Sequence, residues 1–388
     1  MTLLWTLLAC EITWLGINRQ DDSNPSGGDD TQTTWDSGEW SGTWDSAQLP
    51  IELVELSAPC KDQGPIYALH PRSEQELWVG CGGGAGLHHS VDGGESFTEE
   101  LPGADLYVFD IQEGGGGTLL ACGHAYAGDL EGSLLLRRSE EGDWRSLLAY
   151  GDNREDDDLA YISNCGQVGV SGSRLMVFSN TIGDMTTSTD GGSSWTAAER
   201  YWGEANLDEG GYSAHQVLQL AVVDGDFYGS GSVIAEPPRF FMPSDHAQAQ
   251  WFNLASEVVS PTVTGEAWAL ATPDGGASWI LGGRDQDEGA AASGFLFGGA
   301  PGAWRRIPVG PEIDIVRDIA FNDDGSLGVA VGDRYPPTAK GGFVLISEDG
   351  GRSWQALDAG LPANLQRVSV HGSTFWVGGE DLLVRGSW

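Results

Sequence analysis

Arginine and aromatic residues cluster in the longer polar segments that separate the short apolar runs of this chain. Aromatic faces flanked by polar side chains suit sugar rings and extended peptides, which need a stacking surface with orienting hydrogen bonds. The alternative is that the rings pack against their own loops and the arginines neutralise neighbouring carboxylates. The candidate ligand-binding residues are Tyr126, Arg154, Tyr161, Arg200, Tyr201, Trp202, Tyr212, Arg239, Arg284, Arg334 and Tyr335.

Carboxylates are so numerous that their pairing alone does not indicate an enzyme. Two suitably spaced carboxyl groups can cleave a glycosidic bond, but the chain has 57 Asp and Glu residues. Asp285 and Asp287 could offer oxygen ligands to calcium, but the EF-hand spacing is absent and a solvated turn is the simpler interpretation. No Ser-His-Asp arrangement, zinc-type spacing or nucleotide-binding glycine loop is present in the sequence. We therefore predict no catalytic residue and no resident metal or cofactor.

The charge balance argues against some classes of partner. The formal net charge is −38, with 19 Lys and Arg against 57 Asp and Glu. So acidic a surface repels phosphate backbones and anionic lipid headgroups, which disfavours nucleic acid and polybasic docking to a membrane. We predict a glycan, a peptide or an envelope protein as the partner, with membrane contact only through an N-terminal lipid anchor.

Residues 1–18 have features of an export signal. The stretch "MTLLWTLLACEITWLGI" is too short, and too interrupted by Glu11, to span a bilayer. Its "LLAC" segment ending at Cys10 resembles a bacterial lipobox, in which the signal is cleaved before a cysteine that then carries lipid. A truncated ordinary signal peptide and an upstream start codon are the alternatives. We expect an exported protein, either an outer-membrane or periplasmic lipoprotein lipidated at Cys10 or an extracellular protein.

The other four cysteines support export. Cys60, Cys81, Cys122 and Cys165 are even in number and lack metal-binding spacing, which favours disulfides in an oxidising compartment. The pairs nearest in sequence are Cys60–Cys81 and Cys122–Cys165. The sequence alone leaves the pairing open, and buried free thiols are the alternative.

Residues 19–49 have the composition of a flexible tether. The stretch is acidic, rich in Gly and Ser and poor in aliphatic residues, so it buries too little apolar surface to offset the entropy of ordering. Its tryptophans, Trp35, Trp40 and Trp44, form a short near-repeat. They could act as a docking motif, although incidental low complexity is the simpler interpretation.

Residues 50–388 consist of short apolar runs separated by turns, and one phrase recurs among them. It reads "SVDGGESF" from Ser90, "STDGGSSW" from Ser188 and "SEDGGRSW" from Ser347. Asp followed by two glycines makes a tight hairpin turn, because the carboxylate accepts backbone N–H groups and glycine adopts positive φ without steric cost. The closing aromatic residue begins the next strand and has a large ring to bury.

The three phrases resemble the Asp-box, or BNR repeat (S-x-D-G-G-x-[ST]-W), of sialidase-like and YVTN-type β-propellers. In that family the box is a structural turn between the third and fourth strands of a blade, remote from the ligand site. A fourth copy from Thr272, "TPDGGASW", falls where other units turn from first to second strand. The residues that match the box are Ser90, Asp92, Gly93, Gly94, Phe97, Ser188, Asp190, Gly191, Gly192, Trp195, Ser347, Asp349, Gly350, Gly351 and Trp354.

The repeats predict an all-β fold, a seven-bladed β-propeller of four-stranded antiparallel blades. Units of about fifty residues follow one another, as expected for propeller repeats. The last unit, "LQRVSVHGSTFWVGGEDLLVRGSW", supplies only three strands. The stretch "IELVEL" (51–56) precedes the first unit without a partner. Pairing it with "LLVRGSW" would complete the last blade and leave no open sheet edge.

The resemblance implies three functions. The first is a non-catalytic envelope or secreted propeller that binds a glycan, peptide or protein on its loop-rich face, where the long segments gather. The second is a glycoside hydrolase of the sialidase-like or xyloglucanase-like class. Sialidases clamp a carboxylate with three arginines beside a Tyr–Glu pair, but no F/Y-R-I-P motif precedes the first phrase, and seven blades depart from the six-bladed sialidase ring. The third is an assembly factor resembling photosystem II stability propellers, which imply a basic functional surface. This acidic chain fits the first function best.

Overall fold

The structure, a computed structural model, is built almost entirely of β-strands. It describes residues 50–150, 162, 164–179, 184–196, 199–200, 215–233, 238–243, 254–285, 293–310, 313–334, 341–357 and 360–388. These residues form 28 strands in seven four-stranded antiparallel sheets. Each sheet is one blade of a seven-bladed β-propeller, so the predicted fold is confirmed.

Blades 1 to 3 follow in chain order after β1 (Glu52–Leu56), which belongs to the last blade. Blade 1 contains β2 (Ile66–Pro71), β3 (Leu77–Cys81), β4 (Leu87–Ser90) and β5 (Thr98–Glu99). Blade 2 contains β6 (Leu106–Glu113), β7 (Leu119–Ala125), β8 (Ser133–Arg138) and β9 (Trp144–Ala149), with single 3-10 turns at Gly115–Gly117 and Gly128–Leu130. Blade 3 contains β10 (Gln167–Ser171), β11 (Arg174–Phe178), β12 (Asp184–Ser188) and β13 (Glu199–Arg200).

Blades 4 to 7 repeat this order. Blade 4 contains β14 (His215–Val223), β15 (Asp226–Val233), β16 (Arg239–Pro243) and β17 (Leu254–Val258). Blade 5 contains β18 (Gly265–Ala271), β19 (Trp279–Asp285), β20 (Ser293–Gly299) and β21 (Arg305–Ile307). Blade 6 contains β22 (Ile313–Phe321), β23 (Gly328–Arg334), β24 (Gly342–Ser347) and β25 (Gln355–Leu357). Blade 7 contains β26 (Leu365–His371), β27 (Thr374–Gly379) and β28 (Leu383–Ser387), completed by β1.

The N-terminal strand closes the ring as the sequence predicted. β1 pairs antiparallel with β28, in a register that runs from Glu52 opposite Ser387 to Leu56 opposite Leu383. The partly buried side chains of Leu53 and Leu56 pack against the apolar clusters on the two sides of blade 7. A strand from one end of the chain therefore holds the other end, and it covers what would otherwise be an open sheet edge.

The hydrophobic core lies between the blades. The described residues form seven apolar clusters, one at each contact between neighbouring blades. Because a blade is covered on both faces, its middle strands are near-continuous apolar runs, and every residue of β3, β24 and β27 is buried. Trp78, Trp279 and Trp376 begin or lie in second strands and are almost completely buried.

Two disulfides are present. Cys60 bonds Cys81, which ties the segment after β1 to the end of β3 in blade 1. Cys122 in β7 bonds Cys165, which lies just before β10, so this bond joins blade 2 to blade 3. The cysteines thus form the pairs nearest in sequence. Both bonds support the expected oxidising compartment.

The three DGG turns share one hydrogen-bond pattern. The Ser90 hydroxyl donates to Asp92 at 2.8 Å and accepts the N–H of Gly94, also at 2.8 Å. The corresponding bonds at Ser188 and Ser347 have lengths of 2.9 and 2.8 Å. Each of these serine side chains is buried, so the turn satisfies polar groups that water does not reach. The phrase therefore acts as a structural turn between third and fourth strands.

The DGG turns also accept hydrogen bonds from side chains of neighbouring blades. The indole N–H of Trp376, in blade 7, donates to the carbonyl of Gly93 in the turn of blade 1 at 3.1 Å. Arg137, in blade 2, donates to the carbonyl of Gly191 in the turn of blade 3 at 3.2 Å. The fourth DGG phrase, from Thr272, joins β18 to β19, the first and second strands of blade 5, as the sequence predicted.

Residues 1–49, which include the predicted export signal with Cys10 and the predicted tether, lie outside the described residues. The export signal, the lipidation of Cys10 and the tether stay predictions. Among the residues that the structure describes, no helix is long and apolar enough to cross a bilayer.

Candidate functional site

The strand order divides the propeller into two faces. Turns from first to second strand and from third to fourth strand, including every DGG turn, lie on one face, which we call the turn face. Second strands end, and the first strands of the next blades begin, on the opposite face, which we call the loop face. The seven first strands contact one another in sequence around the central channel.

A β-bulge in the first strand of several blades sets the side chains next to the channel. The extra residue is Tyr67 in β2, Phe109 in β6, Trp268 in β18 and Arg317 in β22. All four are half-buried, whereas their flanking residues are buried between blades, except Asp110, which is also half-buried. A bulge re-aims the side chain that it carries, so large side chains that a regular strand would direct into the core stand at the channel instead.

A continuous run of rings leads from the channel onto the loop face of blade 2. Starting at the channel, the rings are Tyr67, Phe109, Tyr107, Tyr126, His124 and Tyr150. Their successive centroid distances are 5.3, 6.5, 5.3, 4.1 and 6.4 Å. These spacings are within the range of aromatic pairs, so the rings support one another as a single surface.

The outer end of this run is open to solvent. Tyr126 is 52% exposed and Tyr150 51%, and no other aromatic residue in the described part of the chain is as exposed. His124 lies between them and stacks on Tyr126 with ring planes 6° apart. We call Tyr107, His124, Tyr126 and Tyr150 the blade 2 platform.

The channel end of the run carries positive charge. Arg317 makes two hydrogen bonds to Asp333 Oδ2, at 2.8 and 2.7 Å, and its guanidinium lies 5.5 Å from the ring centroid of Trp268. Arg367 donates to the carbonyls of Tyr67 at 2.6 Å and Gln366 at 3.0 Å. Within the described residues no carboxylate lies within 4.0 Å of Arg367.

The two ends of the run differ in their electrostatics. Burial raises the pKa of the Tyr67 hydroxyl. The positive charges of Arg367 and Arg317 act against this rise, and Tyr107 and the carboxylate of Glu380 add to it less strongly. Burial also raises the pKa of Tyr126, and here the neighbouring Tyr107 and the carboxylate of Asp105 raise it further. Among the described residues, the charge that acts on Tyr126 is therefore negative.

The structure places five of the predicted binding residues, which belong to five different blades. Tyr126 joins the platform. Arg284, in β19, pairs with Asp314 at 3.4 Å, and Arg334 donates to the carbonyl of Gly342 at 3.1 Å. Arg239 lies in β16, and Arg200 lies in β13. The other predicted residues lie outside the described residues, namely Arg154, Tyr161, Tyr201, Trp202, Tyr212 and Tyr335.

The calcium candidates can be followed only in part. Asp285 ends β19, and Asp287 lies outside the described residues. Within the described ranges, no group of three or more His, Cys, Asp or Glu side chains is placed to hold a metal ion.

Sequence reasoning missed Tyr67, Tyr107, Phe109 and Tyr150 as site residues. The signal that could have found three of them is the aromatic residue near the start of the first strand, in "IYAL" of blade 1 and "LYVFD" of blade 2. Tyr150 follows β9 directly and is the first residue of the link to blade 3. Nothing in its immediate sequence distinguishes it from a loop residue.

Comparisons with known proteins show the fold alone. A scan against protein-family models and a search of curated proteins each found no match. Among solved structures, YCF48 bound to D1 peptide is 16% identical with a TM-score of 0.55, and 88% of this chain and 97% of that chain are covered. Virginiamycin B lyase from Staphylococcus aureus is 11% identical with a TM-score of 0.56, and the match covers 87% of this chain and 99% of that chain. The extracellular domain of a one-component system from B. thetaiotaomicron is 11% identical with a TM-score of 0.53, and the match covers 89% of this chain and 40% of that chain.

Proposed function

We propose that this protein is a non-catalytic, exported β-propeller that binds an extended peptide segment of a partner protein on its loop face. The observation that carries the proposal is the run of six rings from the channel to Tyr150, because it is continuous and ends in two half-exposed tyrosines. Exposed apolar surface that is gathered in one place and rimmed by polar residues marks interaction sites in soluble proteins.

The spacing of the rings supports a peptide. Alternate residues of an extended strand are about 7 Å apart and point the same way. Neighbouring ring centroids of the platform are 4.1 to 6.4 Å apart, so alternate side chains of a bound strand, which point the same way, can each meet a ring. YCF48, which shares the fold, is bound to D1 peptide. That likeness supports a peptide partner for this chain.

Two arginines that are paired with carboxylates support binding over glycoside hydrolysis. Arg284 is paired with Asp314, and Arg317 with Asp333. Guanidinium groups already neutralised by carboxylates are poor clamps for a substrate carboxylate. The two disulfides support an exported protein, and the repeated turns support assignment to the Asp-box propellers, with Cys10 as the proposed lipidation site.

A displayed library of random peptides tests the proposal. The protein without residues 1–46 is expected to enrich a family of related peptides, and the variant Tyr126→Ala/Tyr150→Ala to lose at least about tenfold in affinity for them, because stacking contacts of two large rings disappear. Trp202→Ala/Tyr335→Ala tests the residues predicted from sequence in the same assay.

The matched control removes two exposed apolar side chains from the turn face. Val91 is 72% exposed and Val222 36%, and Val91→Ala/Val222→Ala should leave peptide affinity unchanged. Equal affinity of the tyrosine variant and the control, or no enrichment by the native protein, would contradict the proposed function.

A further inference from the structure

We infer that the blade 2 platform recognises the cationic side chain of a lysine or arginine in the bound peptide. The inference rests on the proposed function and names the chemistry of its ligand. Two observations carry it together: the half-exposed tyrosine rings of the platform, and the sign of the described charges around them.

The rings have the geometry that attracts a cation. An ammonium or guanidinium group is drawn to the face of an aromatic ring within about 6 Å of its centroid. Tyr126 and Tyr150 each expose half of their surface. His124 stacks on Tyr126 at 4.1 Å and lies 6.4 Å from Tyr150, so the two half-exposed rings border one site.

Among the described residues, the charged side chains in the loop-face segments of blade 2 are all negative. The loop-face segments of blade 2, residues 103–107, 124–132 and 148–150, contain no Lys or Arg. Their charged residues are Asp105, Asp129 and Glu131, and all three are exposed. Asp105 is close to the first ring, since its carbonyl accepts the N–H of Tyr126 at 3.2 Å and its carboxylate acts on the Tyr126 hydroxyl.

The opposite end of the run disfavours the alternative placement at Tyr67. Arg367, which has no carboxylate within 4.0 Å among the described residues, stands beside Tyr67 at the channel and would repel a cation there. The cationic side chain of a bound peptide therefore belongs at the platform. The formal charge of −38 also steers basic segments toward this protein over a long range.

Peptides of defined charge provide the test. Fluorescein-labelled peptides built from repeats of Gly-Ser-Arg, Gly-Ser-Leu or Gly-Ser-Glu are titrated with the protein at physiological salt, and anisotropy reports the Kd. The arginine peptide is expected to bind about tenfold tighter than the leucine peptide. Because an acidic protein attracts any basic peptide, this preference alone does not locate the site.

Uncharged substitutions at the platform separate ring recognition from bulk charge. Tyr126→Leu/Tyr150→Leu keeps apolar side chains and net charge but removes the ring faces, and should weaken the arginine peptide about tenfold. Tyr126→Phe/Tyr150→Phe keeps the faces and should change the Kd by less than about twofold. Asp105→Asn should weaken binding about threefold with the fold intact, because Asn tolerates the φ of 45° found there.

The outcomes distinguish the inference from the proposed function. Arginine-peptide binding that is the same in the Leu and Phe variants overturns the inference. Binding of the leucine or glutamate peptide that equals the arginine peptide and is lost in the Leu variant overturns the inference but supports the proposed function. Failure of all three peptides to bind, together with an empty library selection, overturns both.

Discussion

Asp318 Oδ2 accepts a hydrogen bond from the backbone N–H of Val368 at 2.9 Å, which links the first strand of blade 6 to that of blade 7. Asp110 makes the same contact from blade 2 to Val168 in blade 3, at 3.0 Å. Both aspartates directly follow the bulged residue of their strand. The bulge thus sends one side chain to the channel and positions the next to bind the neighbouring blade.

The burial of Asp318 predicts a stability that depends on pH. Burial raises the pKa of this carboxyl from 3.8 to about 6, although the charge of Arg367 and two backbone N–H donors oppose the rise. A group whose pKa is raised in the folded state favours folding when it is protonated, and this contribution is lost as the pH rises from about 4 to above 6. The loss amounts to roughly 3 kcal/mol across that window.

The measurement is denaturant unfolding across this pH range, for the native protein and Asp318→Asn. The stability of the two proteins must be compared at each pH, because His70 also titrates in this window. Burial lowers the pKa of His70 to about 4, so its contribution to stability rises with pH, opposite in sign to that of Asp318. The native protein should lose stability relative to Asp318→Asn as the pH rises. A constant difference between the two proteins would refute this prediction.

Removal of β1 should open the ring. Deleting residues 1–58 takes away the strand that pairs with β28 and the packing of Leu53 and Leu56, so we expect a loss of several kcal/mol and aggregation through the exposed edge of β28. Deleting only residues 1–46 should leave the melting temperature nearly unchanged. Thermal unfolding and sedimentation velocity make the comparison, and equal damage from both deletions would contradict the closure.

The DGG turns should contribute stability without contributing to binding. In Ser188→Ala the N–H of Gly192 loses its acceptor in a buried position, which should cost about 1–3 kcal/mol of unfolding free energy. Ser193→Ala, an exposed change in the same turn, is the matched control and should cost much less. Peptide affinity should be unchanged in both variants. A selective loss of affinity in Ser188→Ala would show that the turn face takes part in binding.

The Cys122–Cys165 disulfide, between blades 2 and 3, should contribute more to the unfolding free energy than the Cys60–Cys81 disulfide. Cys122 and Cys165 are 43 residues apart and Cys60 and Cys81 are 21 apart, so closing the longer loop restricts the unfolded chain more. Replacing Cys122 and Cys165 by Ala should lower the unfolding free energy by about 2–4 kcal/mol. Urea unfolding of this variant and of Cys60→Ala/Cys81→Ala measures the two losses of unfolding free energy. The prediction requires the larger loss for the Cys122–Cys165 pair, which closes the longer loop.

The sequence by itself determined the blades, their number and the closure by residues 51–56. The blades and their number depend on short-range physics, because an Asp followed by two glycines favours a tight turn and each apolar run between turns has the length of one strand. The closure followed from the strand count, because the last unit supplies three strands and residues 51–56 supply the fourth. The same chemistry identified the three DGG turns, and the position of the Thr272 phrase between two runs of its unit identified it as a turn from first to second strand.

Only the tertiary structure decided which side chains form the candidate site. The rings of Tyr67 and Phe109 are in contact although they belong to different blades. Tyr126 and Tyr150 lie on either side of His124, because the second and fourth strands of blade 2 end on the same face. The periodicity of a strand does not reveal a bulge, since one extra residue re-aims a side chain without changing the apolar pattern. Likewise, the sequence presents Arg317 and Arg367 as equivalent cations. Strand pairing within blade 6 places the Asp333 carboxylate beside Arg317, whereas the contact of blade 7 with blade 1 places the Tyr67 carbonyl beside Arg367.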